Sequence, residues 1–325
     1  MPIRRNYILS MAFLAIACVW SSSWAAADSY PVRAVRLIVP YPVGTSNEVF
    51  ARIFAQKLSE KWGAPIVVEP IPGAGGLVGS KEIASAKPDG YTLGWVSSPH
   101  AINAAIYKAL PYDTIKDFTP IVNLVSTPMV FVVSSDSKFT SMQALLDKAK
   151  ASPGSLNFGS NGNGSSSHLA SALLASKSNV QFTHVPYKST GQLTTDLASQ
   201  RIDFAAMGLA TAAPLVQSGK LRALAVTGAE RSDAIPDVPA VTETVPGYLA
   251  TAWMGLVAPQ GTPSGVIEKV ARDAPEIIAQ GEIQQKMQPM GLSSDPLDTR
   301  AFAKRIEHDI SMWRQVVHDA GIEQK

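Results

Sequence analysis

The chain has 325 residues, with 28 Lys and Arg against 26 Asp and Glu, 46% hydrophobic residues, 17% charged residues and one cysteine. That length suits two domains or one large one, and so low a charged fraction excludes a disordered chain, since about 25% is usual. A net charge of +2 is too small for a nucleic-acid-binding face, and the lone Cys18 excludes an internal disulfide or a cysteine-rich metal site.

Residues 1–27 read as an export signal. Arg4 and Arg5 precede an apolar stretch over 8–20 broken only by Ser10, and small residues follow, ending in Ala25-Ala26-Ala27, which fits the A-x-A cleavage pattern. The apolar run is shorter than the roughly 20 residues of a membrane span; an uncleaved anchor and a lipid anchor on Cys18 are the alternatives. Cleavage removes 27 of the 325 residues and two of the 28 bases, leaving 298 residues with 26 bases against 26 acids and no cysteine. Thiol nucleophiles, disulfides and iron–sulfur ligands are thereby excluded, and an oxidising compartment is suited.

Strand-like and helix-like segments then alternate. The β-branched run 35–39, closed by Pro40, predicts a buried strand, and apolar residues at Val49, Phe50, Ile53, Phe54 and Leu58 predict a helix over 49–62. A strand at 66–68, a helix over 77–86 ended by Lys87-Pro88-Asp89-Gly90, and a strand at 91–96 follow; this β-α-β-α-β order implies parallel strands. Further strands are expected at 130–134, 156–159, 182–185, 202–206, 221–226 and 253–258. Helices are expected at 142–151, 168–177, 194–199, 212–218, 264–279 and 297–320. No linker separates two halves, so two α/β lobes joined by crossing segments are expected, with a single doubly wound sheet as the alternative.

Two loops carry the chemistry. Pro40-Tyr41-Pro42-Val43-Gly44-Thr45-Ser46-Asn47 joins the first strand to its helix, and 159–167 (Gly-Ser-Asn-Gly-Asn-Gly-Ser-Ser-Ser) precedes the helix holding His168. Glycines and hydroxyls there expose N–H groups at helix N-termini, where the dipole favours an anion. Helix capping plus a flexible turn is the competing reading of each. Corresponding loops in two lobes, both at strand carboxyl ends, predict a cleft for an anionic ligand.

Enzymatic readings lack their motifs. Gly73-Ala74-Gly75-Gly76-Leu77-Val78-Gly79 has the spacing G-x-G-x-x-x-G instead of the dinucleotide pattern G-x-G-x-x-G, and reads as a tight loop onto a helix N-terminus. There is no G-x-S-x-G elbow and no P-loop. His100, His168, His184, His308 and His318 never fall at metal-ligand spacing, so neither a metal nor a cofactor is expected.

Landmarks along nearly the whole mature chain match one family in order. They include Arg36-Leu37-Ile38-Val39-Pro40-Tyr41-Pro42, Pro72-Gly73-Ala74-Gly75-Gly76, Lys87-Pro88-Asp89-Gly90-Tyr91-Thr92-Leu93 and Leu110-Pro111-Tyr112-Asp113. Asn157-Phe158-Gly159-Ser160, Gly162-Asn163-Gly164-Ser165-Ser166-Ser167-His168-Leu169, His184-Val185-Pro186-Tyr187-Lys188 and Pro246-Gly247-Tyr248 continue the series. In these the chain resembles substrate-binding proteins of the tripartite tricarboxylate transporter family, the Bug-type receptors. The resemblance implies a two-lobe type II periplasmic binding protein fold, each lobe a mostly parallel sheet flanked by helices. The expected division is residues 28–127 for the first lobe, 128–252 for the second, and 253–325 returning to the first.

It also implies a periplasmic, monomeric receptor without enzymatic activity that closes over a small carboxylate, a di- or tricarboxylate or an aromatic acid, and delivers it to a two-part membrane permease. A receptor of the same fold feeding a signalling partner, or an enzyme processing a carboxylate, is the alternative. The residues carried over are Tyr41, Gly44, Thr45, Ser46 and Asn47 on one lobe and Ser160, Asn161, Asn163, Gly164, Ser165 and Ser166 on the other. Ser97, Ser98, His100, Tyr187 and Met207 are expected as walls of the cleft; for His100 and Tyr187 a packed structural role is the competing reading. Two departures stand out: Thr45 and Glu48 replace a common glycine and Asp, and Met207 replaces an acid. An apolar Met there argues for a carboxylate with an apolar or aromatic body over an amino acid.

Overall fold

The computed structural model describes residues 30–324; the expected export signal, with Cys18, lies outside the described residues. The chain order opens β1 Val35–Val39, α1 Ser46–Trp62, β2 Ile66–Pro70, α2 Leu77–Ala84, β3 Thr92–Ser97, α3 Pro99–Ile106 and β4 Phe118–Ser134. It continues α4 Met142–Ala151, β5 Asn157–Ser160, α5 Ser166–Ser178, β6 Thr183–Pro186, α6 Thr190–Ala198, β7 Phe204–Gly208, α7 Leu209–Gln217 and β8 Leu221–Val226. The closing elements are β9 Thr251–Pro259, α8 Ser264–Ile278, α9 Gly281–Met287, β10 Ser293–Leu297 and α10 Thr299–Asp319. No helix among the described residues is long and apolar enough to cross a membrane.

The hydrogen-bonded strand order is β2-β1-β3-β9-β4-β7-β5-β6, with β8 and β10 also paired to β4. The outer strands are parallel, as the β-α-β order requires: β1 with β2 and β3, and β5 with β6 and β7. The middle is antiparallel, so the sheet is mixed where a mostly parallel one was expected. The reason is topological. β4 carries the chain out of the first half and β9 brings it back beside it, and such an exchange aligns the two in opposite directions.

β4 runs 17 residues and changes neighbours along its length. Phe118 to Pro128 pairs with β9, whereas Met129 to Val132 pairs with β7. Thr227, fully buried, clasps both crossing segments: its Oγ1 accepts from the Met129 N–H at 2.8 Å and donates to the Ala250 carbonyl at 2.9 Å.

Each half has its own core. Phe50, Phe54 and Trp95 pack edge-on or tilted in the first. Phe131, Phe158, Phe204 and Tyr248 form the second, joined by Ile102 and Ile106 of α3 and Trp313, Val316 and Val317 of α10. Gly79 sets α2 against the end of β1, because a Cβ there would lie 2.6 Å from the Ile71 carbonyl oxygen and 2.8 Å from Pro40 Cα. That close approach brings the loop before α2 to the carboxyl end of β1.

Candidate binding cleft

Four chain segments meet around a cleft of about 750 Å³. Pro40, Tyr41 and Pro42 leave β1, Gly73 to Gly76 leave β2, Pro99 opens α3 just after β3, and Asn163 to Ser166 connect β5 to α5. All four follow the carboxyl ends of parallel strands, where open α/β sheets place their ligands. Ile102, Ile106 and Tyr107 supply an apolar wall, with Asn103 beside them. Among the described residues, no Asp, Glu, Lys, Arg or His lines the cleft. A negative ligand would therefore be attracted by N–H groups and helix dipoles alone.

The two loops singled out by sequence differ in what occupies their helix ends. At α1, Thr45 is the N-cap and accepts from the Glu48 N–H, while Glu48, 2% exposed, reaches back to the Gly44 N–H at 3.1 Å and pairs with Arg52. The Gly44 N–H first, and Arg52 next, hold the Glu48 carboxyl below the usual carboxylate range against the effect of burial. The positive end of α1 thus already holds an anion. At α5, Ser165 is the N-cap, accepting from the His168 N–H at 3.3 Å and donating to the Gly162 carbonyl at 2.7 Å. No acidic residue sits in the first turn of α5, nor in that of α2 or α3.

Of the expected residues, Tyr41, Asn163, Gly164, Ser165 and Ser166 line the cleft. Gly44, Thr45, Ser46 and Asn47 stand outside its lining, around the α1 cap. Ser97 lies behind Tyr41, donating to its hydroxyl from both N and Oγ at 3.0 and 2.8 Å. Burial pushes the Tyr41 phenol up to about 12 despite those bonds, so it stays protonated. Ser98 joins the end of β3 to β9 through the Trp253 N–H. Ser160 is fully buried beneath its loop, with Oγ 2.6 Å from His184 Nε2. Asn161 turns away to Thr190.

Three expected wall residues belong to the core. His100, 2% exposed, has its ring centroid 4.7 Å from Phe118, and burial pushes it down to about 4. Tyr187 donates to Asp196, and its ring packs with Leu193 and Leu197. Met207, 4% exposed, pairs with Val130 across β7 and β4, so the alternation of the strand turns it into the core rather than the cleft. Met207 therefore does not touch the ligand body and sets no preference for it.

The sequence reading passed over the α3 wall, although Ser98-Pro99 is a helix-start signal. It read Gly73–Gly76 as a turn only. Positive φ at Gly73 and Gly76 (142° and 99°) bends this loop into the cleft, and Asn103 Nδ2 holds the Gly75 carbonyl at 3.0 Å.

Comparison with known proteins gives a consistent picture. The family described as tripartite tricarboxylate transporter family receptor matches residues 50–322. Protein BugT of Bordetella pertussis is 31% identical over 324 residues, covering 98% of each chain. Among solved structures, R. palustris Rpa4515 with adipate superposes with a TM-score of 0.74 at 30% identity, covering 90% of this chain and 99% of that one. MatC from Rhodopseudomonas palustris with bound malate gives 0.69 at 28% identity, covering 89% and 100%.

Proposed function

This chain belongs to the tripartite tricarboxylate transporter receptor family, and from that premise we propose that it captures a small carboxylate in the cleft described above and delivers it to a two-part membrane permease. The family and its structural neighbours are solute-binding receptors rather than enzymes, and its members are periplasmic. Cleavage near Ala27 would place this chain in the same compartment, as a monomer.

The observation that carries the reading is an uncharged cleft at four strand ends, bordered by the starts of α3 and α5, where no resident carboxylate occupies the dipole. Ser166, in the first turn of α5, offers the ligand carboxylate its N–H and hydroxyl, with Tyr41, Asn163, Gly164 and the Gly73–Gly76 loop around it, while the Gly164 and Ser165 N–H groups are held by His168 Nδ1 and the Gly162 carbonyl. Ile102 and Ile106 suit an apolar or aromatic ligand body, as with the adipate of one relative. An ammonium group finds no acidic partner among the lining residues. Residues 28–127 with 253–325, and residues 128–252, act as lobes that close on the ligand about the segments Thr227 joins.

A thermal-shift screen over adipate, malate, aromatic acids, aspartate and glutamate tests this, since a ligand of the folded state raises apparent stability. Dicarboxylates and aromatic acids should raise the melting temperature. A response to aspartate or glutamate alone would refute the ligand preference.

A further inference from the structure

The loop that carries Asn163 to Ser166 is fastened from below by two imidazoles. His168 and His184 stack with ring centroids 3.8 Å apart and planes 6° from parallel, and Phe158 packs beside the pair, 4.8 Å from His184 and 5.9 Å from His168. His168 Nδ1 accepts the Gly164 N–H at 3.1 Å, and His184 Nε2 lies 2.6 Å from Ser160 Oγ, which itself accepts the Gly162 N–H at 3.1 Å. Both imidazoles therefore reach the cleft loop through hydrogen bonds. The geometry points to His168 and His184 as positioning residues of the cleft loop: neutral, they hold Gly162 and Gly164 in the shape that presents donors to the ligand, and protonation of His168 releases Gly164.

The atoms require this dependence. A ring nitrogen that accepts an N–H carries no proton, so the His168 proton sits on Nε2. A second proton at Nδ1 sets two donors against each other, and the Gly164 bond is lost. It also sets a charged ring against a face-stacked neighbour. Burial first, and His184 second, push His168 down to about 4, and burial lowers His184 as well. From the packed elements, β6 presents His184, while β5 and β7 present Phe158 and Phe204. α10 presents Asp319 at the cavity both rings line, where it accepts from Ser176 and Gln315. Lys177 lies in the last turn of α5, and Asp203 before β7 accepts the Asn157 N–H.

This inference rests on the reading that the loop binds the ligand, and the test separates the two. In nitrogen-15 NMR of the protein from neutral pH to about 4, the Gly164 amide and the His168 ring should titrate together, with a midpoint well below the ordinary value of 6.5. His168→Asn, which keeps an acceptor near Nδ1 but does not titrate, should hold the Gly164 amide shift constant with pH; His168→Phe should displace it at every pH. His184→Phe should move the His168 midpoint upward. Calorimetry with adipate, whose own carboxylates protonate in the same interval, should show affinity falling more steeply with acid for the wild type than for His168→Asn. A Gly164 amide that ignores the His168 titration overturns the inference whether or not adipate binds. Absence of adipate binding at every pH, with the amide titration intact, counts against the ligand reading alone.

Discussion

The N-termini of α1 and α5 look alike as sequence and differ as structure. Both follow a strand, both have a hydroxyl N-cap, and both carry a glycine at positive φ one residue before the cap, Gly44 and Gly164. At α1, however, Glu48 folds back onto the Gly44 N–H and fills the dipole with a buried carboxylate of the protein itself. At α5 the loop is tied to neutral imidazoles and the positive end stays without a charge of its own. Equal propensity to bind an anion thus resolves into one end satisfied for stability and one end open for a ligand.

The largest effect should come from making the second end resemble the first. Ser166→Asp places a carboxylate in the first turn of α5; two like charges about 4 Å apart cost several kcal/mol at protein-surface dielectric, so adipate affinity by calorimetry should fall about a hundredfold or more. Unchanged affinity would place the ligand elsewhere.

Acid sharpens the contrast between groups that must stay neutral and one that must stay charged. His100, like His168, is pushed from 6.5 down to about 4, so the unfolded chain takes up these protons first as pH falls. Stability is full above 6.5, declines between 6.5 and 4 and levels below; His100 alone accounts for about 3 kcal/mol. Denaturant unfolding across that interval, with His100→Phe removing much of the slope, checks it. Glu48, held below the usual carboxylate range, keeps the α1 end intact through most of the interval.

Glu48→Gln should lower unfolding free energy by about 2 kcal/mol, because it weakens the Gly44 and Arg52 bonds. Its effect on adipate affinity should be negligible. The smallest pair is Thr45→Ala and Ser165→Ala, each removing one cap for about 1 kcal/mol of stability. Only the second should also weaken ligand binding. Equal affinity changes in the pair would erase the distinction between the two ends.

Much of the fold was legible because outer strands are short, β-branched runs closed by Pro, such as 35–39 before Pro40 and 66–68 before Pro70. β4 was read only over its last residues. Pro120 and Pro128 break its apolar pattern, yet a register shift after Pro120 carries the strand past the first, and at Pro128 it changes neighbour from β9 to β7. The mixed sheet was hidden for another reason: pairing between β4 and β9 joins residues more than a hundred apart, and no local pattern encodes it. At the site, the residue types of both loops were visible, but which helix end was already occupied was not. That depends on the Gly44 φ of 83°, which turns its N–H toward Glu48. Met207 was misplaced because a one-residue change in strand phase exchanges cleft for core.

The most direct test of the account is a crystal structure of the protein with the carboxylate that gives the largest thermal shift. The account predicts the carboxylate within hydrogen-bond distance of the Ser166 N–H and hydroxyl, its body against Ile102 and Ile106, the Gly164 N–H still on His168 and Glu48 still bonded to Gly44. A carboxylate seated on the N–H groups of Gly44 to Asn47, with Glu48 displaced, would contradict it.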